Sequence, residues 1–390
     1  MFRAAAVLVA LILGTSLGLA HHGGGTFDSS RAVTRTGKLT KIDFINPHAW
    51  IYFDVVEDGK VVHHRCETRS AHTLRRSGWT PEMFKIGQPI TIEGSPDRND
   101  PQSCYLSTII LADGSRMDRY GQFVSPKAAA ATAKARSRTF KRLPSGEPDI
   151  SGDWAPEQVV MTDPRGRGGA LVPLSTVGNF KPGEGRIGGG APRGGGAGRG
   201  GPRLYGGTEL TELGTQQAAR FGMYSVTDNP RMRCETTSVI FDWTFDGPVN
   251  RIIQNARTIE ILYGQMNLKR TIHLNMKAHP ASIKPTRAGH SIGRWEKDVL
   301  VVDTVGFLPG VLSAPVLHSD RLHIVERFSL DPKTMALTRN YSAEDPVYLK
   351  GQYVGMDVVN IADAAYTPDN CAELGFVDYS KEHVQAGTRK

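Results

Sequence analysis

Two adjacent histidines, His21 and His22, follow Gly18 and Ala20, which occupy the −3 and −1 places of a small-residue cleavage pattern. Cleavage after Ala20 makes His21 the new N-terminus. The α-amine, two imidazoles and the amide between them then become available to a metal ion. His48 supplies a third imidazole if the N-terminal arm folds over the end of the domain that carries it. Nitrogen ligands of this kind suit Cu(II), which leads the affinity order of the first-row divalent metals. An N-terminal histidine chelating through amine and ring, joined by a second histidine, is the ligand type of a copper-binding histidine brace. A free α-amine has a pKa near ~7.7–8, so it is neutral enough to ligate at mild pH. The expected metal ligands are therefore His21, His22 and His48, with copper as the expected ion. The competing reading is that Gly23, Gly24 and Gly25 make a loose arm without fixed geometry, while His48 packs or caps a turn.

A second group lies far downstream. His290, Asp303, His318, His323, Glu326 and Arg327 fall within 38 positions. A histidine with a carboxylate partner can act as a general base, and an arginine can clamp an anion. The catalytic candidates are His290, His318, His323, Glu326 and Arg327. On a strand His323 and Arg327 share one face, with Glu326 opposite. No diagnostic hydrolase signature stands out. Gly289-His290-Ser291 sets a serine beside a histidine, but adjacency is not a triad, and neither H-E-x-x-H nor a P-loop is present. The reading favoured over catalysis is a charged ladder on the outer face of a barrel, because charged strand residues face water. His63-His64, on a strand, and His72, in a short helix, read as surface residues.

The elements that must position these groups are mostly strands. Arg35 to Phe44, Trp50 to Val56, Lys60 to Glu67, Gln88 to Gly94 and Cys104 to Leu111 read as five strands. Asp58-Gly59 marks a two-residue hairpin. A short helix fits between strands three and four, with Ser70 as N-cap and Gly78 as its stop. Thr80-Pro81 opens a further helical turn. Three strands, a helix and two strands is the order of an OB-type barrel. Further on, PDISGDWAP reads as the first strand of a second unit and Thr211 to Phe221 as a helix. Arg257–Tyr263, Lys269–Leu274, Val299–Thr304 and Leu322–Phe328 read as strands of an antiparallel barrel or sandwich. The interior of a closed barrel is the expected place for a ligand.

Arg3 and the apolar run Ala4–Leu13 complete a cleavable signal, expected over residues 1–20. The domain boundaries read as 21–122 for the OB-like unit, 123–147 for a linker and 148–380 for the second unit. A Gly/Arg-rich insertion interrupts the second unit at about 165–203; its composition cannot bury a core. Net charge is +8 over 390 residues, and much of the excess sits in that insertion. The insertion suits an anionic envelope surface; nucleic acid is not an expected partner outside the cytoplasm. No segment after the signal is long and apolar enough to span a membrane. The address is therefore periplasmic or secreted. In an oxidising compartment four cysteines read as two bridges, expected as Cys66–Cys104 and Cys234–Cys371.

HHGGGTFD, TGKLTKIDFINPHAWIYFDV and GWTPEMFKIGQPITIEG resemble a family of secreted bacterial domains of unknown function. Its members begin with a His-His pair after the signal and carry an Asn-Pro-His motif between the first two strands. The resemblance covers residues 21 to about 118. PDISGDW, NPRMRC, GHSIGRWEKDVLVVDTVGF and HSDRLHIVERF resemble an equally uncharacterised secreted β-rich family over most of 148–350. Neither resemblance implies an activity. The expected function is that of an exported two-domain binding or accessory protein with a small ligand or a metal ion such as copper. Two alternatives stand beside it: an enzyme with its site in the second unit, and a module that binds envelope polymer or protein.

Overall fold

The computed structural model describes residues 27–28, 30–119, 138–161, 171–173, 204–222, 225 and 227–372. Two closed β-barrels follow one another along the chain.

The first barrel is built from β1 (Val33–Asp43), β2 (Trp50–Glu57), β3 (Lys60–Glu67), β4 (Pro89–Pro96) and β5 (Ser103–Ile110), with β6 (Arg116–Asp118) added beside β5. Asp58 and Gly59 both adopt positive φ, as the two-residue turn between β2 and β3 requires. The strands close in the order β1-β2-β3-β5-β4, and β3 runs parallel to β5. This is the OB topology. Closure places Cys66 directly opposite Cys104, and a disulfide joins them across a Cα separation of 4.5 Å. Helix α1 (Ala71–Arg76) plugs one end; the Ser70 side chain accepts from the Thr73 amide, and Gly78 leaves the helix at φ +86°. Leu39, Ile51, Phe53, Leu74, Trp79, Ile92 and Leu106 fill the core.

The second barrel has nine strands: β7 (Gly152–Ala155), β10 (Asn250–Gln254), β11 (Thr258–Leu262), β12 (Lys269–His273), β13 (His290–Glu296), β14 (Val299–Val305), β17 (His323–Leu330), β18 (Leu337–Glu344) and β19 (Tyr353–Ile361). Two hairpins, β8 (Val159–Met161) with β9 (Leu171–Pro173) and β15 (Gly310–Ser313) with β16 (Val316–His318), stand outside it. Helix α2 (Glu212–Arg220) is capped by Thr211. The barrel is antiparallel except where β12 meets β13 in parallel. Of the expected insertion, 171–173 forms β9 and the rest lies outside the described residues. Within the expected linker, 138–147 is ordered, and Arg142 pairs with Asp298 at 2.7 Å.

Among the described residues the interior of this barrel is filled by packed side chains rather than left open as expected for a ligand. Trp154, Trp243, Tyr263 and Phe328 pack there around a buried ionic chain. Glu326 bonds both Arg270 and Arg339, and Arg339 continues to Asp357 and to the carbonyls of Val239 and Ile240. Charge alone argues that Arg270 and Arg339 should face water, but both are buried. Strand alternation puts them inside with Ile272 and Leu337, and the carboxylates make the position tolerable.

The barrels meet through α1 and a C-terminal strap. Arg69 pairs with Asp246 at 2.7 Å, and Arg76 bonds Asp363 and the carbonyls of Gly247 and Pro156. Asp369 accepts from Asn46 at 2.7 Å and from the Met266 amide, so one carboxylate ties the two barrels. The Cys234–Cys371 disulfide, Cα separation 5.6 Å, fastens the strap. Among the described residues no helix is long and apolar enough to cross a membrane.

Candidate functional site: a histidine chain beside a cleft

A parallel strand pair cannot be joined by a tight turn; the chain must cross back over the sheet. Residues 274–289 make that crossover between β12 and β13 over the outer wall of the barrel, and they bring His279 onto it. Alternation turns His273 outward from β12, His290 from β13, Asp303 from β14 and His323 from β17, while their strand neighbours Ile272, Ser291, Thr304 and Ile324 go inward. The result is a hydrogen-bonded chain. His290 Nδ1 lies 2.8 Å from His279 Nδ1. His279 Nε2 lies 2.9 Å from Asp303 Oδ1, and His323 Nε2 lies 3.1 Å from Asp303 Oδ2. The His273 ring stacks on His290 at 5.2 Å between centroids.

Burial disfavours a charged Asp303, but hydrogen bonds from His279 and His323 outweigh it and hold the carboxyl below its ordinary value. Burial pushes His290 below the ordinary histidine value, and His279 and His273 push it further. Asp303 is therefore ionised and His290 neutral at pH 7. An ionised Asp303 accepts N–H from both His279 and His323. When His279 carries a single proton, that proton is the one on Nε2, and its Nδ1 accepts from His290 Nδ1–H.

His290 and His273 also form part of the wall of a cleft of about 330 Å³. Lys269, Thr271, Thr286 and Arg287 supply its other polar groups, and Leu268 and Ala288 its apolar ones. Arg287 is held by a bond to the Pro309 carbonyl at 3.0 Å. Gly289, at φ +67°, leads the chain into β13; a Cβ there would come within 2.8 Å of Thr304 Cγ2 and 2.9 Å of the Val305 carbonyl oxygen.

Of the five residues singled out for catalysis, the structure brings His290 and His323 together. His318 is buried, bonds the Ser319 carbonyl at 3.0 Å and lies outside the chain. Glu326, 0% exposed, points into the barrel. Arg327 stays on the outer wall, paired with Glu296 at 2.8 Å. The charged-ladder reading thus holds for Arg327 and fails for Glu326. His279 escaped sequence reading because it sits in a loop without periodicity. One signature does fit in letters: residues 289–293 read Gly-His-Ser-Ile-Gly, the G-x-S-x-G spacing. They lie on a strand, not at a strand-to-helix turn. Ser291 is buried in the barrel, where it accepts from Arg270 at 2.9 Å, so it is not a nucleophile elbow.

His21 and His22 lie outside the described residues. His48 sits at the junction of the barrels, a quarter exposed, with Nδ1 2.6 Å from Glu67. Burial opposes its charge, but Glu67, helped by Asp246, outweighs burial and raises its pKa above the ordinary histidine value. His63 is a surface residue, paired with Asp54 at 2.6 Å. His64 and His72 are not: both are buried, His64 against Phe53 and Glu57, His72 beside Asp369. Among the described residues no group of three or more His, Cys, Asp or Glu side chains is disposed to hold a metal ion. In the outer chain both nitrogens of His279 are already committed to neighbours.

No curated protein matches the chain. Residues 10–104, which hold β1 to β4 and the first part of β5, match the model of DUF6152, a family of unknown function.

Proposed function

We propose that this is an exported two-barrel binding protein whose ligand, a small anion, occupies the outer cleft of the second barrel. The observation that carries the reading is the composition of that wall: Lys269, Arg287, Thr271, Thr286 and two imidazoles converge on one cleft of about 330 Å³. Cationic and hydroxyl donors around a small apolar floor are the groups that orient an anionic ligand. Two disulfides favour an oxidising compartment, in line with the signal-like leader and with the resemblance of 148–350 to a secreted β-rich family.

Backbone amide spectra recorded against a panel of small anions test the reading. Shifts should centre on Thr271, Arg287, Gly289 and His290, and Arg287→Ala should weaken them. Saturating shifts elsewhere, or none, would overturn it. The copper reading at His21, His22 and His48 makes a separate forecast: a chain beginning at His21 retains one copper, and His21→Ala loses it. The contact between His48 Nδ1 and Glu67 means that copper must reach His48 through its other nitrogen or displace the carboxylate.

A further inference from the structure

Resting on that reading, we infer that the cleft takes a small monocarboxylate and takes up one proton with it, delivered through the chain His290–His279–Asp303. Lys269 already faces Glu260 at 3.1 Å, and Arg287 faces Glu235 at 3.8 Å. The cleft cations are thus partly neutralised, which suits a ligand of single negative charge better than a polyphosphate.

The coupling follows from donor and acceptor counting. In the state with Asp303 ionised and both imidazoles carrying one proton each, the contacts require His290 to spend its only N–H on His279. Among the described residues His290 Nε2 has no partner, and in this state it is a bare acceptor. A carboxylate is also acceptor-only, so the two repel. One added proton reverses the chain. His290 Nε2 becomes N–H, the Nδ1–Nδ1 bond turns round, and His279 carries the positive charge with both nitrogens protonated. That charge lies 2.9 Å from Asp303, which neutralises it. The cleft then presents a charge-assisted donor to the ligand. Two imidazoles at 2.8 Å share one such proton rather than holding one each.

The charged and titratable neighbours are His273 and Lys269 on β12, Arg287 on the crossover and His323 on β17. His323 bonds the second oxygen of Asp303 and so positions it. His273 stacks on His290 and is the one neighbour that could mimic the effect by titrating itself.

The test uses the full-length protein and benzoate, which is predominantly ionised from pH 5 upward and is corrected for its own small protonated fraction. Its Kd is measured from pH 5 to pH 9 by amide shift titration. Above the pKa of the shared proton, log Kd should rise with pH at a slope near one, about tenfold per pH unit, and should flatten below it. His279→Gln and Asp303→Asn should abolish the slope, whereas His273→Gln should keep it. Binding at the cleft without a slope, or a slope lost only in His273→Gln, overturns proton coupling and leaves the binding reading intact. Failure of benzoate and the anion panel alike to bind there at any pH overturns the binding reading itself.

Discussion

Glu326 is the sharpest structural test of the second barrel. Its carboxylate is 0% exposed, bonded through one oxygen to Arg270 and through the other to Arg339 at 3.2 Å. Glu326→Gln keeps the shape and removes the charge. Arg339 would still have Asp357 and two carbonyls. Arg270 would be left with Ser291 at 2.9 Å, Thr304 at 2.7 Å and the Tyr263 hydroxyl, none of which carries a full charge. A guanidinium buried without a counter-charge costs about 3–5 kcal/mol. The matched control is the next residue, Arg327→Ala, whose exposed ion pair is worth ~0–1 kcal/mol. Urea unfolding at pH 7, followed by tryptophan fluorescence, measures both. Burial raises the Glu326 pKa, but Arg270 and Arg339 outweigh it and hold it below the ordinary value. Its contribution is thus fully present above the unfolded glutamate pKa and is lost as pH falls through the lower folded value. The variant should therefore lack part of the acid limb of the wild-type stability curve. A Glu326→Gln cost equal to that of Arg327→Ala, with an unchanged acid limb, would refute the reasoning. Replacing Arg270 and Glu326 together by methionine should cost less than Glu326→Gln alone, because no charge is orphaned.

Asp242 works in the opposite sense. Burial raises its pKa to about 6 against the pull of Arg231. The folded state then binds the extra proton, so stability should fall by roughly 2 kcal/mol as pH rises from 4 to 6.5, and Asp242→Asn should flatten that fall. Cys234–Cys371 closes 137 residues and is partly exposed, whereas Cys66–Cys104 is buried. Mild thiol reductant should open the former first and raise hydrogen exchange at Ala372, whose amide donates to the Asn46 carbonyl at 3.0 Å, with simultaneous loss of both bridges as the contrary result. Chain entropy puts the cost of removing the long bridge near ~5 kcal/mol in thermal or urea unfolding of Cys371→Ser. Gly289→Ala should lose about 1–3 kcal/mol from crowding against Thr304 and Val305, and anion binding should weaken with it; unchanged unfolding and binding would dismiss the glycine requirement.

Much of the first barrel was legible because its signals are local. Asp58-Gly59 dictates a hairpin, Ser70 and Gly78 bracket α1, and period-two burial in β1 picks out Leu39. The bridge Cys66–Cys104 agrees with their placement on β3 and β5, which OB closure makes neighbours. The candidate site was legible only in part. Alternation separates Glu326 from His323 and Arg327, but it does not say which side is the interior when both sides carry charge. Arg270 and Arg339 settle that question only by tertiary pairing. His279 has no periodic signal, and its place depends on β12 and β13 closing in parallel. The burial of His72 depends on Asp369, nearly 300 residues away along the chain.

The most direct test of the central claim is the amide shift map of the full-length protein titrated with benzoate at pH 6. The account predicts saturable shifts at Thr271, Arg287, Gly289 and His290, carried along the outer wall to Asp303 and His323. Shifts confined to the first barrel, or to the junction around His48, would contradict it.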